Sequence, residues 1–214
     1  MKRRATLTAF IDLATDAYAK AEAAETSIEE GMHLLLIHSF WPGYEDVAQD
    51  IWEHALATGM FAHMLAPLCG EDEESAYLCG LLHSIGRPVV LRAVVEAAAD
   101  LQCALEPTQL MRLLDTWDQE VGEQLGFTWE LPAPVRESIA YWDDYASAPD
   151  HRRAVALTGL AATLARYGGA LDASGWSAVL HHPALDELGL DREAVSELLA
   201  DVQDVMGTVD VMAA

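Results

Sequence analysis

Apolar residues in this chain recur at intervals of three and four, and nowhere at two. Leu7, Phe10, Ile11, Ala14, Ala17, Tyr18 and Ala21 fall on one helical face. No stretch of four to eight residues alternates cleanly, so no strand is predicted. Valines 89, 90, 94 and 95 are the one local exception, and the alanines around them favour helix. The predicted class is all-α.

Helix punctuation divides the sequence further. Ser27 followed by Glu30 is a capping-box signature, and Pro42 and Gly43 break the segment it opens. A long helix is predicted from about Glu45 to Leu68, with Val47, Ile51, Ala55, Thr58 and Ala62 inward and Gly70 at its end. EDEESAYLCGLLHSIGRP begins with acidic residues suited to a helix start and is predicted to stop at Gly86 and Pro88. Val89 to Leu101 follows. Pro107 then opens a helix closed by Gly126, and Pro132 and Pro134 open VRESIAYWDDY. Asp150 is placed as the cap of HRRAVALTGLAATLARY, with Gly168 and Gly169 as its terminators, and Asp191 as the cap of REAVSELLADVQDV. Gly168 to Gly189 reads as the widest irregular stretch. The expectation is one domain over residues 1–214: a bundle of about eight to ten helices, at typical helix and loop lengths. Within it, residues 1–26 form an N-terminal helical extension and residues 27–205 the core.

Charge narrows the partners. Twelve Lys and Arg against thirty-five Asp and Glu give a net charge of −23, which disfavours nucleic acid and anionic membrane. At 52% hydrophobic residues, the chain can still bury a core. Three cysteines without CxxC spacing exclude a paired disulfide framework and a Cys-rich zinc site, and read as reduced thiols. The basic start is interrupted by Asp12 and Asp16, unlike a signal peptide, and no apolar run is read as reaching the ~18 residues of a membrane span. A cytoplasmic location is expected. There is no Walker loop, GxGxxG or GxSxG.

Two of the eight histidines have context: His54 in WEHA, and His83 in GLLHSIGR between two glycines that let another backbone or a ligand come close. GLLHSIGR (Gly80 to Arg87), the upstream WEHA, the downstream EVGEQL…W.LP..V (Glu120 to Val135) and the final AL.ELGLDREAVSELL (Ala184 to Leu199) together resemble the HDOD domain. That domain is the signalling relative of the HD-type metal phosphohydrolases. The resemblance implies that His54 and His83 keep two ligand positions of the HD centre and lie close together. It also implies losses. Ser84 stands where the metal-bridging Asp would follow His83, and Asp118 replaces a later His. Trp142-Asp143 stands for a His-His pair, and Ala161 and Ala162 lie where a closing Asp is expected. A neutral hydroxyl is a poor ligand for a hard divalent cation. Two alternatives remain for His54, His83, Asp118 and Asp143. Either they form an altered mononuclear metal site, or both histidines are buried hydrogen-bonding residues and both aspartates face solvent. Arg87 can pair with a phosphate or cap a helix C-terminus. Trp52, Trp129 and Trp142 match aromatic core positions of the family, and Trp117 is placed in the space that ligands would fill. His181-His182-Pro183 reads as a surface loop.

These readings lead to an expected non-catalytic signalling or regulatory domain in the cytoplasm, and the resemblance implies a bacterial one. It would have no cofactor and would act through contacts with a protein partner, basic rather than acidic. Only about 26 residues precede the SIEEGMHLLL-like segment, where such domains carry a helical lobe, and this suggests a homodimer. The alternative is an HD-like phosphohydrolase of a nucleotide or phosphate ester, using altered metal ligands.

Overall fold

A few backbone devices set where the helices begin and end. The structure, a computed structural model, describes residues 43–100, 102, 105–167, 173–198 and 202–213. The expected first helix, the Ser27–Glu30 capping box and the Gly168–Gly169 terminator lie outside these residues. The described helices are α1 Glu45–Cys69, α2 Glu73–Leu82, α3 Gly86–Asp100, α4 Pro107–Thr128, α5 Ala133–Tyr141, α6 Arg152–Tyr167, α7 Ala173–Leu180, α8 Ala184–Leu188, α9 Arg192–Leu198 and α10 Val202–Ala213. A short 3-10 turn covers Tyr145–Ser147, and the described residues include no strand. The fold is all-α, as its apolar period requires.

Acidic Glu45 and Asp46 open α1, and Gly70 follows it at φ +73°, a conformation that favours glycine. Asp72 caps α2 by accepting from the Ser75 N–H at 2.8 Å. Asp191 caps α9 in the same way, through the Ala194 N–H at 2.7 Å.

Several boundaries differ from the sequence reading. Helix α5 ends at Tyr141, short of the WDDY read as its end, and REAVSELLADVQDV is described as α9 and the start of α10, with residues 199–201 outside the described residues. Gly86 and Pro88 start α3 rather than ending α2, because proline's fixed φ and missing N–H suit a first helical turn. Gly126 lies inside α4, which runs on to Thr128. Asp150 precedes α6 without capping it. Instead Glu137 of α5 accepts from the Asp150 and His151 N–H groups at 3.1 and 2.8 Å. The stretch read as irregular contains α7 and α8. A further difference concerns length and composition alone. Glu73–Ala99, which runs through α2 and α3, has a window of mean hydropathy 1.4, enough for a membrane span by length and composition, although 72% of that window is buried inside the molecule.

The chain divides into two compact units. Among the described residues, one comprises residues 84–130 with residues 43–52, and the other comprises residues 53–83 with residues 131–213. In the first, α3 buries Val89, Val90, Leu91 and Val95, and α4 buries Leu110, Leu114, Val121 and Leu125. The α4 set recurs at four and seven, one helical face. In the second unit α6 is central: every residue from Val155 to Ala162 is buried. Ser138 of α5 and Thr158 of α6 are hydrogen-bonded at 3.2 Å in that interior. Arg153 holds the end of α1 by donating to the Cys69 carbonyl at 2.7 Å and Glu71 at 2.8 Å, and it reaches the Glu187 carbonyl at 2.9 Å.

Helices α1 and α2 run antiparallel. Residues met along α1 in falling order, His63, Gly59 and His54, face Glu73, Gly80 and His83 in rising order. The crossing leaves no room for a side chain at Gly80. A Cβ there would lie 2.6 Å from the Thr58 carbonyl oxygen and 2.8 Å from the Gly59 Cα. Gly80→Ala is therefore expected to destabilise by about 3 kcal/mol, the upper part of the overpacking range, despite a helix-propensity gain of about 1 kcal/mol. Gly207→Ala, in α10 with nothing within 4 Å of its added Cβ, is expected to stabilise by up to about 1 kcal/mol. Urea denaturation of the two variants checks the contrast, and equal effects would contradict the crossing.

Candidate functional site

The site residues marked in the sequence fall in both units. In the unit holding α2, α5 and α6, the antiparallel crossing sets His54 beside His83. Their ring centroids are 5.4 Å apart, with the planes at 68°. His83 is 1% exposed. Its Nδ1 donates to the Gly80 carbonyl at 2.6 Å. A carbonyl can only accept, so this bond fixes the proton on Nδ1. That is also the tautomer a metal-binding imidazole adopts when its outer nitrogen is held by a carbonyl. Trp142, the residue after α5, packs edge-on against His83 at 5.2 Å and 81°. Both contacts are edge-to-face geometries favoured by aromatic quadrupoles.

Trp142 is thus the tryptophan ring that packs against His83. Trp117 is 39% exposed, on the outer side of α4. Asp143 is exposed in the turn after α5. Ala161 and Ala162 are buried in α6 and offer no donor.

The other unit carries Ser84, Arg87 and Asp118. Ser84 is 3% exposed, and its Oγ has no hydrogen-bond partner among the described residues. Its carbonyl accepts from the Arg87 N–H at 3.1 Å. Arg87 lies in the first turn of α3, which excludes the expected C-terminal cap. Its Nε donates to Asp118 Oδ2 at 3.2 Å and its Nη2 to Asp115 Oδ1 at 2.6 Å. Asp118 is buried rather than solvent-facing, which corrects half of that expectation for the two aspartates. Burial pushes its carboxyl up to about 6, and the Arg87 charge and hydrogen bond limit the rise. The sequence pattern did not show this pair: nothing in a spacing of 31 residues indicates that one helix start meets the middle of another.

The residues present do not fit a resident metal. Two imidazoles come together, Ser84 is neutral, Asp118 is bonded to a guanidinium, and Asp143 is exposed. Among the described residues no three His, Cys, Asp or Glu side chains converge as a donor set, whereas protein zinc sites need at least three.

Other titratable groups have structural duties. Glu137 accepts from His151 Nδ1 at 2.7 Å as well as from two backbone N–H groups; burial raises its carboxyl, but these bonds outweigh that and hold it below the usual range. His182 is half-buried rather than a surface residue, and its Nδ1 accepts from the Ala184 N–H at 3.2 Å. Burial lowers its pKa. Burial pushes the Cys79 thiol up to about 11, so it is not a reactive thiolate.

A family model of the HDOD domain matches residues 33–145, more than half of the chain. The chain belongs to the HDOD domain family. Its fold is shared with an HDOD domain protein of unknown function from Geobacter sulfurreducens, at a TM-score of 0.65 and 21% identity over 85% of this chain and 67% of that one. A Shewanella amazonensis SB2B protein, provisionally named a metal-dependent phosphohydrolase, matches at 0.65 and 20% identity over 87% and 66%. A Marinobacter aquaeolei VT8 protein, provisionally named a signal transduction protein, matches at 0.59 and 26% identity over 83% and 40%. An uncharacterized protein of Treponema pallidum (strain Nichols) is 30% identical over 122 residues, which are 53% of this chain. The match spans 24% of that curated relative's length.

Two outcomes follow from the buried polar groups. A hydroxyl without a partner in the interior carries an uncompensated desolvation cost, so Ser84→Ala is expected to be neutral or to stabilise by up to about 1 kcal/mol. A loss above about 1 kcal/mol in denaturant titration would show that Ser84 Oγ serves a bound group. For Asp118 the folded pKa, about 6, lies above the ordinary 3.8, so the folded state holds its proton longer than the unfolded chain. Its contribution to stability is present below pH ~4 and is lost as pH rises towards 6. At 1.36 kcal/mol per unit this amounts to about 3 kcal/mol. Stability of the wild type measured against Asp118→Asn from pH 4 to 7 is expected to decline by most of that amount, and a flat difference would contradict it.

Proposed function

We propose that this chain is a non-catalytic regulatory module that works through protein–protein contacts. The observation that carries this reading is the chemistry at position 84. HD-type hydrolysis needs a cation held by several anionic or imidazole ligands, which brings a bound water's pKa towards neutrality. Here the residue after His83 is a buried, neutral serine, and its own unit commits the nearby carboxylate of Asp118 to Arg87. Without a bridging charge there is neither a tight cation nor an acidified water. Arg87 is likewise engaged by two carboxylates instead of standing open for a phosphate. The net charge of −23 selects a basic partner surface and repels nucleic acid. A cytoplasmic location and a homodimer belong to this reading. The name of the Marinobacter aquaeolei relative is consistent with it.

A second reading, a phosphohydrolase with altered ligands, is favoured by one observation. The His54–His83 pair is intact, with the His83 proton on Nδ1. The Shewanella amazonensis protein's name points the same way. Metal analysis and turnover separate the two readings. The purified chain is expected to carry well under one equivalent of metal and to leave nucleotides, cyclic dinucleotides and phosphate esters intact with added Mn2+. Turnover that His83→Ala abolishes would overturn the regulatory reading. Light scattering checks the dimer: the monomer mass across a wide concentration range would contradict it.

A further inference from the structure

Asp118 is a carboxylate in the protein interior, and interior carboxylates need a cation or a proton. In HD-type centres that cation is a metal. Here the partner is visible in the same unit. The Arg87 guanidinium donates to Asp118 Oδ2 through Nε and to Asp115 Oδ1 through Nη2. The Arg87 side chain is 21% exposed and that of Asp118 6%, so the pair sits at the inner edge of α3 and α4, while Asp115, at 60%, anchors the guanidinium from outside.

The backbone brings the two residues together. An added Cβ at Gly86 would run into the carbonyl oxygen of Asp118, so the start of α3 touches the middle of α4 at that residue. Arg87, one residue on, has little choice of partner. A cation in the first turn of a helix is also unfavourable against the helix dipole, and two carboxylates offset this. Arginine suits the task better than lysine, because its rigid fork serves two carboxylates at once and it stays charged when partly buried.

We infer that the Arg87 guanidinium is the permanent counter-cation of this interior, in place of a divalent metal, and that the fold is metal-independent for that reason. The inference rests on the reading that no metal resides at this centre, but it fails separately. Turnover tests that reading, whereas folding stability tests this one.

The experiment is thermal and urea unfolding of the full chain at pH 7.5, with EDTA and then with Mn2+ or Zn2+, for the wild type, Arg87→Met, Asp118→Asn and the double variant. The wild-type midpoint is expected not to move with chelator or metal. Arg87→Met is expected to raise the unfolding equilibrium constant at least about a hundredfold, the scale seen when one partner of a buried pair is removed. Adding Asp118→Asn to it is expected to recover at least about tenfold of that loss, because the stranded charge is gone. Asp118→Asn alone is expected to fold. If Arg87→Met does not fold, the double variant decides: a folded double variant supports the inference, and one that is unfolded or no more stable than Arg87→Met overturns it. A wild type that loses stability in EDTA and regains it with Mn2+ or Zn2+ overturns it as well.

Discussion

Backbone touches backbone on either side of His83, and much of the local architecture depends on that. At Gly80 the α2 main chain lies against Thr58 and Gly59 of α1. At Gly86 the α3 main chain lies against Asp118 of α4. Helix axes usually stand 8–10 Å apart because side chains separate them, and closer approach requires positions without a Cβ. In one unit the first approach brings His54 to His83 and puts the ring against Trp142. In the other, the second approach brings the guanidinium of Arg87 to Asp118. Rings and charges sit where they do because two glycines let the helices come near enough.

Electrostatics then separates surface from interior. Most of the excess negative charge costs little where water screens it, and the described acidic residues are overwhelmingly exposed or half-exposed. Asp118 is the exception, and it is the carboxylate bonded to an arginine that a second carboxylate also holds. Glu137, at 12% side-chain exposure, is supported differently, by His151 and two backbone N–H groups. Each solution answers the same demand, that a desolvated carboxylate must be compensated by donors close at hand.

Helix content was legible in the sequence because an apolar period of 3.6 residues, sustained over long segments, suits a helix and does not suit a strand. The start of α2 and the cap of α9 were legible because Asp at those places has one local use. Gly86 and Pro88 misled, since the same residue types stop one helix and start the next, and only the chain's direction after them decides. Trp117 misled for a different reason. Its neighbour, Asp118, faces inward, and adjacent helical residues point about 100° apart, so the tryptophan turns out. The Arg87–Asp118 pair was not legible, because it depends on two helices meeting at a glycine, a long-range contact that composition and spacing leave open.

GLLHSIGR therefore has a packing role for most of its letters. Gly80 permits one helix crossing and Gly86 another. Leu81, Leu82 and Ile85 are fully buried core. His83 closes a hydrogen bond to the carbonyl three residues back and offers an edge to two neighbouring rings. Arg87 balances an interior carboxylate. Only Ser84 has no such duty, and Ser84 is the position where an HD-type reaction would place its bridging carboxylate. An aspartate there would add a second interior negative charge to the unit in which Arg87 is already bonded to Asp118. Packing and charge compensation thus account for most letters of the motif, and Ser84 is the one whose side chain has no hydrogen-bond partner among the described residues.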